Sequence, residues 1–98
     1  MISYSDIQNA YNRIYVAMRK YIWDFSVVEA LADLEIAAYK TFPNLSEVRS
    51  RFYRLRGMVS YLFPEDEEMK KRFDSLGDIL EEDVTFSKIN QVNEVIQQ

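Results

Sequence analysis

The sequence predicts an all-α protein, a small antiparallel bundle of four helices followed by a short C-terminal helix. Apolar residues recur at steps of three and four along most of the chain, which is the period of one helical face. Capping patterns precede these stretches, and the short connections between them favour antiparallel neighbours. Glycine-rich turns and strand-like alternation of apolar and polar residues are absent from the sequence, which argues against a sheet.

The first helix is predicted over about residues 4–23. Ser3 is followed three residues later by Asp6, which is the spacing of a capping box. Behind this pair, apolar residues recur on one helical face, and we expect that face to be buried. Its members are Ile7, Tyr11, Ile14, Met18, Tyr21 and Phe25.

The second helix is predicted over about residues 27–41. Ser26 and Glu29 form a second capping-box pattern, which interrupts an otherwise continuous apolar stretch. Phe42 ends the helix, because a residue that precedes proline is disfavoured in the helical region. The apolar set of this helix comprises Val27, Leu31, Leu34 and Ala38.

The third helix is predicted over about residues 45–62, behind a cap at Asn44. Its seam has the most regular spacing in the chain and comprises Leu45, Val48, Phe52, Leu55, Val59 and Leu62. Pro64 suits the first position of a fourth helix, and the acidic residues after it suit the positive end of the helix dipole.

The acidic residues 81–83 mark the predicted end of the fourth helix. A short fifth helix is predicted behind Thr85, although the Val, Thr and Phe residues there would also suit a strand. We expect all five helices to belong to one domain, residues 1–98, because a chain of 98 residues has the size of a single domain.

Composition argues against an enzyme. The chain has neither His nor Cys, which excludes the usual zinc ligand sets and the His-paired nucleophiles. It has only two glycines and therefore no glycine-rich phosphate loop. We predict no catalytic residue, no cofactor and no metal site. No apolar run is long enough to span a membrane and no signal peptide is evident, so we expect a cytoplasmic protein without a membrane partner.

The segment RSRFYRLRG, residues 49–57, places four arginines in a chain of net charge −4. On a helical wheel these arginines point in three directions, whereas a helix that grips nucleic acid groups its cations on one side. Residues 57–98 carry ten acidic and four basic side chains, a net charge of −6. We therefore expect the arginines to pair mainly with the fourth helix, and we disfavour a nucleic-acid partner.

The outward face of the third helix is unusual, because a solvated face normally carries Lys and Glu. Tyr, Arg and Met, the residue types found here, are enriched in protein interfaces, and Gly57 would permit close approach. The candidate partner-binding residues on this face are Tyr53, Arg54, Met58 and Tyr61. The alternative is that another helix of the bundle covers the face.

The first helix has a similar anomaly, since Val16 and Trp23 lie opposite its buried stripe, with Arg19 beside them. These three residues are further candidates for partner binding. The alternative for Trp23 is that it folds into the core under the corner between the first two helices.

These observations predict a non-enzymatic, small acidic protein that binds and inhibits or regulates a partner protein. Immunity proteins and phage-type antagonists are examples of such a class. The alternatives are a nucleic-acid-binding regulator and a small structural subunit or adaptor of a larger assembly, such as a phage particle. Self-association through either helix face is a further candidate, because homo-oligomers use the same patch on both copies.

Overall fold

The structure, a computed structural model, describes the backbone of residues 2–97 and the side chains of residues 2–82. Within these residues the chain forms four α-helices and a 3₁₀ turn. In chain order they are α1 (Tyr4–Met18), the 3₁₀ turn (Arg19–Tyr21), α2 (Phe25–Ala38), α3 (Leu45–Leu62) and α4 (Glu67–Gln97). The predicted all-α fold is confirmed.

The helices form an antiparallel bundle in which each helix packs against the next and α4 packs back against α1. The order of contacts shows the helix directions. Arg56 contacts Asp74 at 2.7 Å, and Arg49, two turns earlier in α3, contacts the carbonyl of Leu80, later in α4, at 2.9 Å. The α1–α2 and α3–α4 connections therefore lie at the same end of the bundle.

One apolar core runs along the bundle axis, and it is built from most residues of the stripes that the 3–4 spacing predicts, whereas Leu62 at the end of the α3 seam is 42% exposed. Side chains from all four helices are buried in it. The largest of those fully enclosed are Tyr11, Phe52, Ile7, Ile14, Met18, Leu34, Leu55, Met69, Leu76 and Leu80. Burial of such side chains stabilises a fold by about 1.5–3 kcal/mol each, so the core dominates the stability of the bundle.

Two of the predicted caps are confirmed. The Ser3 hydroxyl accepts a hydrogen bond from the backbone N–H of Asp6, and the Asn44 side chain accepts one from the backbone N–H of Glu47. The bounds of α3 are those the sequence predicts. A local cap followed by a regular seam therefore indicates from the sequence where a helix begins and ends.

The predicted boundary between the first two helices is wrong by several residues. α1 ends at Met18 and continues only as the 3₁₀ turn, whereas α2 begins at Phe25. The cap of α2 is Asp24, whose carboxylate accepts from the backbone N–H of Val27 at 3.2 Å, and not Ser26. Aspartate caps a helix as well as serine does, and the spacing rule that selected Ser26 ignores it.

This correction moves Phe25 out of the buried stripe of the first helix. As the first residue of α2, its side chain is 79% exposed. α2 also ends earlier than predicted, at Ala38, with Tyr39 as the C-cap. Residues 39–41, which were predicted to be helical, therefore belong to the connection to α3.

The fourth helix differs from the prediction at both ends. It begins at Glu67 and not at Pro64, because the Asp66 carboxylate accepts from the backbone N–H of Met69 and caps the helix. It continues through the acidic residues 81–83 to Gln97, so the predicted fifth helix is the C-terminal part of α4. The side chains of residues 83–98 lie outside the described part of the chain.

Asp66 joins the two connections at this end of the bundle. Besides capping α4, its carboxylate accepts a hydrogen bond from the hydroxyl of Tyr21 at 2.6 Å and pairs with the Lys20 ammonium at 2.6 Å. The hydrogen bonds from Lys20, Tyr21 and the Met69 N–H lower the pKa of Asp66 to about 2. The same carboxylate raises the pKa of Tyr21 through its hydrogen bond.

The lowered pKa of Asp66 predicts a pH-dependent contribution to stability. The folded state holds this proton more weakly than the unfolded state, so the contribution is complete above the unfolded pKa of about 4 and is lost as the pH falls towards 2. Asp66→Asn keeps a capping oxygen but removes the charge, and we expect it to lower the unfolding free energy by about 1–2 kcal/mol at pH 6.

Urea unfolding of both proteins between pH 2 and pH 6 measures this effect, and the difference between them should shrink at the acid end. Glu65→Gln is the matched control, because this exposed neighbour should change the unfolding free energy by less than about 0.5 kcal/mol throughout. A difference between wild type and Asp66→Asn that stays constant across this range would contradict the assignment.

Candidate protein-interaction surface

The outward face of α3 is open to solvent and is not covered by another described helix. Tyr61 is 85% exposed, and Tyr53 and Arg54 are exposed as well. The alternative that the bundle buries this face is therefore wrong for these side chains. Met58, by contrast, is half-buried and packs against the core. Its position on the wheel turns it towards α2, so it forms the edge of the face.

Two arginines of α3 contact α2 and not the predicted helix. Arg54 pairs with the Asp33 carboxylate at 3.2 Å. Arg51 donates to the backbone carbonyl of Asp33 at 2.9 Å and pairs with Glu47 of its own helix at 2.8 Å. The prediction that α4 would hold them is wrong, because both lie on the α2 side of the α3 seam.

The other two arginines contact α4, as predicted. Arg56 pairs with Asp74 at 2.7 Å. Arg49 donates through Nε to the carbonyl of Leu80, a backbone group that charge counting does not identify. All four arginines of RSRFYRLRG thus make contacts within the chain. Arg51 and Arg54 contact α2 on one side of α3, and Arg49 and Arg56 contact α4 on the other.

The candidates on α1 do not join those on α3. α1 packs against α2 and α4, so it lies diagonally across the bundle from α3. Val16 is exposed but isolated on a polar outer side, beside Asn12 and Arg13. The Arg19 guanidinium lies over the ring of Tyr15 at 5.7 Å. The structure therefore separates Val16 and Arg19 from the α3 face.

Trp23 is at the end of the bundle, beside the α3–α4 connection. Its ring meets that of Phe63 edge-on, with centroids 6.1 Å apart, and Tyr21 stacks on the same Phe63 ring at 3.7 Å. The indole remains 71% exposed. The alternative that Trp23 belongs to the core is wrong, because Tyr21 occupies the position next to Phe63 and leaves Trp23 outside it.

The structure adds exposed apolar residues on α2 and just before it that our sequence analysis missed. Ile22, Phe25 and Ile36 are 67%, 79% and 56% exposed. Because α2 and α3 run antiparallel and Asp33 contacts Arg54, the N-terminal half of α2 lies beside the C-terminal half of α3. We name the combined outer surface the α2–α3 face. It comprises Phe25, Glu29, Ala32 and Ile36 of α2, with Arg54, Met58 and Tyr61 of α3.

The signal for the α2 residues was present in the sequence. α2 is apolar on two sides, so its buried stripe does not stand out from a polar background, and either side could have been assigned to the core. The boundary error at Ser26 had also assigned Phe25 to the first helix. A helix with this pattern can bury only one of its sides in a four-helix bundle, which leaves the other exposed.

No group of three or more carboxylates in the described part of the chain could hold a metal ion. A cavity of about 200 Å³ lies between the end of α3 and the start of α4, lined by Val59, Phe63, Met69 and Phe73 among others. This is smaller than the roughly 300–1,000 Å³ of typical small-molecule sites, whereas a neighbouring open cleft of about 370 Å³ falls within that range and is lined by Tyr21, Phe63 and Asp66 among others.

Comparisons with known proteins identify no relative. Neither protein-family models, nor curated protein sequences, nor solved structures match this chain. Across the residues that the structure describes, no helix is both long and apolar enough to cross a membrane. The exposed surface itself is therefore the basis for assigning a function.

Gly57 on the outer side of α3 allows a test of how open this face is. A Cβ at this position would have no described heavy atom within 4 Å, so Gly57→Ala should raise the unfolding free energy by about 0.5–1 kcal/mol through helix propensity. Gly77 in α4 is the matched control. A Cβ there would lie 3.1 Å from the Arg56 guanidinium and 3.5 Å from the Phe52 ring.

We expect Gly77→Ala to stabilise the protein less than Gly57→Ala or to destabilise it, because Arg56 would have to move relative to Asp74. Chemical denaturation of both variants measures the contrast. A loss of stability in Gly57→Ala would mean that this part of α3 is covered.

Proposed function

We propose that the protein is a non-catalytic cytoplasmic binding protein that inhibits or regulates a partner protein, and that it binds this partner through the α2–α3 face. The observation that carries the proposal is the exposure of three large apolar side chains, Phe25, Ile36 and Tyr61, on this one face. Exposed apolar residues that share a face are unfavourable in water and are characteristic of interaction sites.

The composition of the face supports a protein partner. Aromatic residues, Met and Arg are enriched at protein interfaces, and Tyr61, Met58 and Arg54 follow one another along α3. Arg54 is held by Asp33, which fixes its side chain in advance and lowers the entropic cost of using it for binding. The face thus combines rigid aromatic anchors with a positioned polar group.

The side chains with shifted pKa values support a role other than catalysis. Burial, with the nearby Glu35 carboxylate, raises the pKa of Tyr11 far above its ordinary value, yet the Tyr11 hydroxyl is used to join α1 to α2 through Glu35. The low pKa of Asp66 likewise reflects its contacts within the bundle. Both groups act as structural links.

The arrangement of the cations favours a protein over a nucleic acid as the partner. Arg51, Arg54 and Arg56 are neutralised by carboxylates of the same chain and point to different sides of α3. A phosphate backbone requires several cations on one side, with counterions to release. No observation on the surface favours the nucleic-acid alternative in the same way.

Tyr61→Ala tests the proposal. The exposed ring contributes little to the core, so we expect the melting temperature to change by only a few degrees. As a binding anchor, however, its loss should weaken partner binding by about 1–3 kcal/mol, roughly 5–150-fold. Quantitative affinity capture from the cells that make the protein, with wild type and variant as baits, measures the effect.

Val16→Ala is the matched control, because Val16 is an exposed apolar residue on the separate outer side of α1. It should retain the partner at the wild-type level. Equal recovery of every captured protein by wild type and Tyr61→Ala would contradict the proposal, and so would turnover of a substrate by the purified protein.

A further inference from the structure

A second apolar stripe runs along α2, on the side away from the core. Phe25 and Ile36 are exposed large apolar side chains of this helix, and Glu29 and Ala32 are exposed between them. In chain order, Phe25, Glu29, Ala32 and Ile36 follow at steps of four, three and four. These steps are the spacing with which one helix packs against another.

The shape of this stripe suits a helical occupant. Phe25 and Ile36 are eleven residues apart, which corresponds to about 16 Å, or three turns, along the axis of α2. Between them lies the small side chain of Ala32, which permits close approach of a second backbone. A small residue between two large ones suits the packing of a second helix across this side of α2.

The charge of α2 indicates what that helix must carry. Residues 24–39 contain Asp24, Glu29, Asp33 and Glu35 but no Lys or Arg, a net charge of −4. Three of the four carboxylates have partners: Asp24 caps α2, Asp33 pairs with Arg54, and Glu35 accepts from Tyr11. Glu29 forms no ion pair with any described side chain, and it lies in the middle of the exposed stripe.

The charge of α2 also disfavours a second copy of this chain as the partner that covers the stripe. An α2–α2 contact around a two-fold axis would place the Glu29 carboxylates of both copies in one interface, with no Lys or Arg of α2 to oppose them. Like charges opposed in an interface are unfavourable. An anionic membrane surface would be repelled for the same reason.

We propose that the exposed stripe of α2 binds an amphipathic helix of the partner protein, one that presents apolar residues to Phe25 and Ile36 and a Lys or Arg to Glu29. The proposal rests on the proposed function and specifies the partner chemistry for it. Apolar contact on either side of Glu29 would exclude water and strengthen the central ion pair.

Synthetic helices test this specificity. The first is an Ala-rich peptide of about 18 residues, long enough to be helical, with Leu at 3–4 spacing and Lys beside that stripe. The second replaces each Lys with Glu, and the third has the composition of the first in scrambled order. None contains Trp, so emission from Trp23, the single tryptophan of the protein, reports binding beside the stripe alongside calorimetry.

We expect the Lys peptide to bind and the Glu and scrambled peptides to bind at least about 10-fold more weakly. Ile36→Gln should weaken binding of the Lys peptide by a similar factor, and Glu29→Lys should make the protein prefer the Glu peptide. Asp78→Lys is the matched control, since it makes the same charge change on α4, which packs against α1 and α3. Its preference should stay that of the wild type.

Several results would overturn the inference. One is equal binding of the Lys and scrambled peptides, and another is Lys-peptide binding that Ile36→Gln leaves unchanged. A dimer in light scattering that Ile36→Gln dissociates would assign the stripe to a second copy. Binding to phosphatidylglycerol vesicles that the same variant abolishes would assign it to a membrane.

Photocrosslinkers placed at position 36 or at position 61 separate this inference from the proposed function. Crosslinks from both positions to one protein, with position 36 joined to a basic helical segment, support both. A crosslink from position 61 alone, or from position 36 to an acidic or non-helical segment, leaves the proposed function standing and overturns the inference. Crosslinks from neither position contradict the proposed function itself.

Discussion

The arrangement of one end of this bundle depends on one carboxylate, that of Asp66. Both connections at one end of the bundle meet at this group, because it caps α4 and also accepts from Tyr21 and Lys20. The contact holds Tyr21 against Phe63 and thereby leaves Trp23 on the outside. The exposed aromatic end of the molecule is thus a consequence of how the two corners are tied together.

The charged residues of α3 also join neighbouring elements of the bundle. The arginines of α3 are used to hold α2 and α4 on either side of it, through Asp33, Asp74 and the carbonyl of Leu80. Three of the four charges in this local cluster are therefore paired with carboxylates, and the fourth, on Arg49, meets a backbone carbonyl. What remains on the surface of α2 is negative and apolar, and that combination favours a basic amphipathic partner over a phosphate backbone.

The apolar outer side of α2 has no structural purpose in the described bundle. α2 is already held by its buried stripe and by contacts to α1 and α3, and a polar outer side would serve the fold equally well. Exposed residues such as Phe25 and Ile36 raise the risk of aggregation. A partner protein that covers these side chains would remove that risk, in agreement with the proposed binding role.

The sequence by itself determined the all-α class, the buried stripes and the bounds of α3, because caps such as Ser3 and Asn44 and the 3–4 spacing act within one helix. Of the candidate site, it identified Arg54, Tyr61 and Trp23 but missed the apolar outer side of α2. Only the tertiary structure decided which caps are used, which carboxylates hold the arginines, and which apolar residues stay exposed. Each of those outcomes depends on what a neighbouring helix covers, and that information is not local to any segment of the chain.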